Sequence, residues 1–162
     1  MKAELHWIAG IPGRLAIMPR PRAGEWLADE IRSLKQQGVD VLVSMLTDEE
    51  NGELELGDEA AAAKAAGLGF ISFPMEDRSV PAVDEAVLSL ADRLLGFVRS
   101  GQGVAVHCRG GVGRSAMLVA CVLMKMGKSG GEALDLIAAA RGCRVPDTDE
   151  QRDWVERIGR RE

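Results

Sequence analysis

Residues 115–126, SAMLVACVLMKM, carry apolar side chains nearly all the way round a helix, and such a helix has to be enclosed on every side. Its longest apolar stretch, AMLVACVLM, falls far below the roughly 20 residues that a membrane span requires. What encloses it is therefore expected to be protein. Short aliphatic runs elsewhere supply the material: VDVLVSML at 39–46, GFISF at 69–73 and GVAVHC at 103–108 each read as a buried strand.

Helical patterns separate these runs. In AGEWLADEIRSLKQQG, Trp26, Leu27, Ile31 and Leu34 fall near one helical face, and Gly38 suits a left-handed C-cap. The alanine-rich DEAAAAKAAG reads as a surface helix stopped by Gly67. Val83, Ala86, Val87, Leu90, Leu94 and Val98 form a stripe through a helix ending near Ser100. Ser129 and Glu132 make a capping box for a helix through Ala140, and a last helix is expected from about Asp147 to Ile158. Strands joined by helical crossovers predict an α/β fold with a central, mostly parallel sheet flanked by helices on both faces. A chain of 162 residues fits one domain, expected to span residues 1–162.

Net charge narrows the function classes. At −5 the chain lacks the excess of Lys and Arg that nucleic-acid binding draws on. Its arginines cluster locally instead, with Arg14, Arg20, Arg22, Arg78, Arg109, Arg114, Arg141 and Arg144 all in or beside turns, where a site would be built. The three cysteines, Cys108, Cys121 and Cys143, show neither zinc-site nor disulfide spacing, which favours a reducing compartment. Cys121, inside the apolar helix, reads as an inert buried thiol, and Cys143 as packing or a surface thiol. MKAELHWIAGIPG breaks its apolar run at Glu4, His6 and Pro12, so no secretory signal is expected, and the chain is read as cytoplasmic, off the membrane and monomeric.

Ligands of open α/β sheets bind beyond the carboxyl ends of the strands, which selects the loops CRGGVGRS and PMEDRSVP. In the first, Gly110, Gly111 and Gly113 permit the alternating φ values of an anion nest, and the N-terminus of the following helix adds its dipole. N–H groups and cations around Cys108 favour its nucleophilic thiolate. Arg114 presents a planar fork to two phosphoryl oxygens, Ser115 can donate to the sulfur when it leaves, and His107 is placed to bond the loop backbone and hold Cys108. GVGRSA also matches a dinucleotide fingerprint, but KSGGEALD begins a helix where that reading requires a strand ending in an acidic residue. No Lys precedes Ser115, which excludes a Walker loop. The second loop offers Asp77 as proton donor to a leaving oxygen, with Glu76 as competitor and a capping role as the plain alternative. Gln151 could orient a water, although Thr148 to Gln151 is itself a capping box.

His107, Cys108, five residues, Arg114 and Ser115 resemble the signature of the protein tyrosine and dual-specificity phosphatase superfamily. The likeness runs from GRLAIMPRP to the chain end and is nearest the small dual-specificity branch that includes kinase-associated phosphatases. It implies a sheet of four or five strands, a phosphate loop of Cys108, Arg109, Gly110, Gly111, Val112, Gly113 and Arg114, a cysteinyl-phosphate intermediate, and neither metal nor cofactor. It further implies that PMED carries the acid at Asp77 and that DTDEQ carries a hydrolysis-assisting glutamine at Gln151. The expected substrate is a phosphorylated protein or peptide, with phosphotyrosine first and phosphoserine or phosphothreonine beside it. Two alternatives stay open: a related phosphatase for small phosphates such as inositol phosphates or RNA 5′ ends, and a phosphate-binding module without turnover. The short chain lacks the tyrosine-recognition loop of classical receptors, and the loop lacks the lysines of phosphoinositide-directed relatives.

Overall fold

In the computed structural model, which describes residues 2–161, five strands form one sheet in the order β1-β2-β5-β3-β4. β1 (His6–Trp7) runs antiparallel to β2 (Leu15–Met18), whereas β2, β5 (Val104–His107), β3 (Val41–Ser44) and β4 (Gly69–Ser72) are parallel. LAIM, VLVS and VAVH are buried at every position, as strands covered on both faces must be. GFIS is half-exposed and lies at the rim.

Alternate residues of each strand feed two cores. Ala16, Met18, Leu42 and Ala105 pack with Leu27, Ile31 and Leu34 of α1 (Leu27–Gln36) and Ala63 of α3 (Glu59–Ala65). Leu15, Ile17, Val43, Val104 and Val106 face the other layer, formed by α4 (Asp84–Arg99), α5 (Arg114–Lys125), α6 (Gly130–Arg141) and α7 (Asp149–Arg161). α5 packs against α4, α6 and α7 as well as the sheet, and every side chain from Arg114 to Met124 is buried. The enclosure expected of SAMLVACVLMKM is thus met by three helices and β2 and β5. The short α2 (Asp48–Glu53), closed by a capping box of Thr47 and Glu50, completes the molecule.

Four expectations need correction. Trp26 is 45% exposed in a 3-10 turn ahead of α1, with the Arg22 guanidinium over its ring at 5.4 Å, so the buried stripe starts at Leu27. Val83 caps α4 and, like Ala86, faces solvent; that stripe starts at Val87. The alanine-rich helix is not wholly a surface element, since Glu59 and Ala63 are buried. Arg14 belongs to the opposite end of the sheet, donating to the carbonyls of Gly38 and Gly101 ahead of β3 and β5.

Candidate active site

β5 ends at His107 and α5 starts at Arg114, so residues 108–113 must turn the chain from the middle of the sheet into the central helix. Gly111 makes the turn, with φ +70° and no room for a side chain: a Cβ there would lie 2.6 Å from the Met18 carbonyl. Gly113 is tight against Asp147 and Gln151, each 3.0 Å from such a Cβ, whereas Gly110 faces open space. The alternation of φ expected at Gly110, Gly111 and Gly113 therefore reduces to one left-handed residue, Gly111.

Four consecutive loop carbonyls are bonded from outside: Cys108 O to His107 Nδ1 at 3.0 Å, Arg109 O to the Arg20 N–H at 3.2 Å, and Gly110 O and Gly111 O to Arg141 Nη2 and Nε at 3.1 and 3.2 Å. A trans peptide is planar, so each fixed carbonyl sends the next residue's N–H the opposite way. The N–H groups of Arg109, Gly110, Gly111 and Val112 are thereby turned from those anchors, and none of them donates to a protein group among the described residues. This is a nest of backbone donors at the N-terminus of α5, with the Cys108 side chain, 3% exposed, at its head. Ser115 Oγ lies 3.1 Å from Cys108 Sγ.

Arg114 is 1% exposed and almost fully engaged. Glu50 accepts from Nη1 at 2.6 Å and from Nη2 at 2.9 Å, the Met75 carbonyl accepts from Nη1 at 2.8 Å, and Nη2 lies 3.3 Å from Asp77 Oδ1. Of its nitrogens, Nε alone is buried without a partner among the described residues. Burial works against the guanidinium charge, but the bond to Glu50 and the charges of Cys108, Glu50 and Asp77 outweigh it and raise the Arg114 pKa. On Glu50 burial again opposes ionisation, and the bonds from Arg114 and Thr47 overcome it, holding its carboxyl below the usual range.

Asp77, half-exposed on the loop after β4, is therefore brought to the loop arginine. Glu76 is exposed, and its carboxylate makes no hydrogen bond or ion pair among the described residues. Gln151 is fully buried against Gly113; its Oε1 accepts from the N–H groups of Asp147 and Thr148, and Nε2 donates to the Ser79 carbonyl. The capping box at Thr148 forms as well, with Oγ1 accepting from the Gln151 N–H. Arg109 is half-exposed, with Nη1 3.7 Å from Glu50 and 3.8 Å from Glu53. Three supporting residues escaped the sequence reading: Glu50, Glu59 and, in its actual role, Arg141. Thr47 and Glu50 do spell a capping box, which would have located α2, but not its grip on Arg114.

Comparison with known proteins identifies the family and the fold. A family model described as "Tc-R-P: Polymorphic toxin system, DSP-PTPase phosphatase" matches residues 16–128, and the chain belongs to that family, within the protein tyrosine and dual-specificity phosphatase superfamily. It is 32% identical over 111 residues to protein tyrosine phosphatase PRL-1 of Leishmania major, a match spanning 64% of this chain and 62% of the relative's length. Among solved structures, the kinase-associated phosphatase KAP, with its catalytic-site cysteine replaced by serine, superposes with a TM-score of 0.89 at 17% identity, covering 99% of this chain and 96% of the other. Tk-PTP in its active form gives a TM-score of 0.77 at 26% identity, with 100% of both chains covered.

Proposed function

We propose that the protein is a cysteine-dependent phosphoprotein phosphatase, acting on phosphotyrosine and also on phosphoserine and phosphothreonine, through a cysteinyl-phosphate intermediate and without a metal. The observation that carries this reading is a run of four loop N–H groups, Arg109 to Val112, that meet no protein acceptor among the described residues and lie opposite the anchored carbonyls of the loop that Cys108 heads, together with Arg114 Nε, buried without a partner among those residues. Those donors match the three equatorial oxygens of a phosphoryl group in transfer. Family membership and the resemblance to PRL-1 support the same class.

In the first step Cys108 Sγ attacks phosphorus as the P–O bond to the leaving group breaks, and Asp77 gives its proton to that oxygen. Asp77 rests against Arg114 Nη2. In the second step Asp77 takes a proton from water as that water attacks phosphorus and the P–S bond breaks. Ser115 Oγ–H supports the departing thiolate, 3.1 Å away. Gln151 lies fully buried against Gly113 and uses one Nε2 hydrogen on Ser79; its second is assigned to the water, a role that requires the side chain to open toward the loop during turnover. No disulfide joins Cys108, Cys121 and Cys143, which suits a reducing compartment such as the cytoplasm.

The test is hydrolysis of an aryl phosphate in the presence of a chelator. The native chain is expected to turn over and to be inhibited by vanadate, and Cys108→Ser to be inactive while still binding phosphate. Activity that survives in Cys108→Ser, or is abolished by the chelator, rejects the reading.

A further inference from the structure

Glu59 is buried at 1% exposure, and no step of the proposed reaction uses it. Its Oε2 lies 2.5 Å from His107 Nε2, while His107 Nδ1 lies 3.0 Å from the Cys108 carbonyl oxygen. Both neighbours of the ring are thus oxygens. A peptide carbonyl has no proton to give, so Nδ1 must be the donor there. A proton must also lie between Nε2 and Oε2, because two bare lone pairs would repel at that separation.

Written as imidazolium with carboxylate, or as imidazole with carboxylic acid, the pair holds both protons and has no net charge. The other arrangement puts the ring's single hydrogen on Nε2 against an ionised Glu59. It leaves Nδ1 bare against a carbonyl oxygen and buries a net negative charge. That is unfavourable, since Glu59 Oε1 has no donor among the described residues. The strands flanking His107 present Met18 and Ser44 at its level, so neither offers a compensating charge.

We propose that Glu59 is a positioning residue that shares a proton with His107 and so keeps Nδ1–H on the Cys108 carbonyl, the first of the four carbonyls that orient the anion nest. The pair adds no negative charge behind the sulfur. Its part in turnover rests on the phosphatase reading; its protonation does not.

The chain has two histidines, His6 and His107, so nitrogen-15 NMR of the histidine-labelled protein reads the pair directly, with His6→Gln giving the assignment. At neutral pH, Nδ1 of His107 is expected to be protonated and Nε2 to carry or share a second proton. A bare Nδ1 overturns the proposal. In Glu59→Gln, Nδ1 should keep its proton while Nε2 becomes a bare acceptor for the amide. Glu59→Leu is expected to lower kcat on an aryl phosphate roughly ten- to a hundredfold, with KM changed far less and most of the loss recovered in Glu59→Gln. An unchanged kcat in Glu59→Leu, or no recovery in Glu59→Gln, also overturns it. Should Glu59→Leu not fold, the native and Glu59→Gln spectra decide. The expected spectrum in a chain that hydrolyses no aryl phosphate would sustain the proton-sharing pair and reject the phosphatase reading; a bare Nδ1 in an active enzyme would do the reverse.

Discussion

Glu50 receives both terminal nitrogens of Arg114, at 2.6 and 2.9 Å, and both residues are buried. Removing one partner of such a pair strands the other's charge, a loss of about 3–5 kcal/mol. Glu50→Ala is expected to lose stability of that order, and Glu50→Gln less, because the amide still accepts one of the two bonds. Urea unfolding of the three chains measures it. Equal midpoints would mean that the remaining contacts of Arg114, chiefly the Met75 carbonyl, suffice to hold it.

The same carboxylate gives a pH dependence of stability. The Glu50 pKa is lowered despite burial by Arg114 and Thr47, and that of Asp84 is lowered by the bond from Trp154 Nε1, against burial, with Arg157 and Arg161 assisting. A carboxyl depressed in the folded state contributes fully above its unfolded value, about 4.3 for Glu and 3.9 for Asp. That contribution falls as pH drops through the folded value. Melting temperature should therefore hold steady above roughly pH 5 and decline below it. The decline should be shallower in Glu50→Gln and in Asp84→Asn; identical slopes would remove these two groups from the acid transition.

Arg141 bridges the Gly110 and Gly111 carbonyls from α6 and also lies 3.4 Å from Glu4. A planar fork meets the two adjacent carbonyls with two nitrogens in fixed directions, a geometry that the single nitrogen of a lysine ammonium does not reproduce. Arg141→Ala should lower vanadate affinity by roughly tenfold or more through misdirected N–H groups. Stability should fall by about 1–2 kcal/mol. Arg141→Lys should restore little of the affinity. Full recovery in the lysine variant would show that positive charge, not the orientation of the peptides, is what Arg141 supplies.

Asp77 and Glu76 are adjacent in sequence and differ in surroundings. Only Asp77 meets Arg114. Asp77→Asn should slow turnover by roughly a hundred- to ten-thousandfold while vanadate still binds. Glu76→Gln should alter the rate by a small factor. If the two variants exchange these outcomes in steady-state assays, the proton donor is Glu76.

The loop from Cys108 to Ser115, the all-round apolar helix and the apolar runs at 39–46, 69–73 and 103–108 were legible because each is a local pattern whose burial leaves little choice. β2 was not read as a strand, since its four residues are bracketed closely by turn residues, Gly10, Pro12 and Gly13 before and Pro19 at once after. α2, DEENGE, offers no apolar stripe at all; it is held by its capping box and by the partnership of Glu50 with Arg114, 64 positions away. Glu59 hid for a similar reason. A carboxylate at the start of an alanine-rich helix looks solvated until the partner strand brings His107 beneath it. Supporting residues of this kind are defined by contacts between distant segments, which spacing along one segment does not encode.

β5 is the middle strand of the sheet, and β4, from which the Asp77 loop departs, is its rim. Backbone amides of Val104 to His107 should thus exchange with deuterium only when the whole domain opens, whereas those around Asp77 are free to breathe at much lower free energy. The molecule separates durability from adjustment: sulfur and cradle stand on its least yielding segment, and Asp77, the proposed proton donor, hangs where substitution or movement disturbs the foundation least.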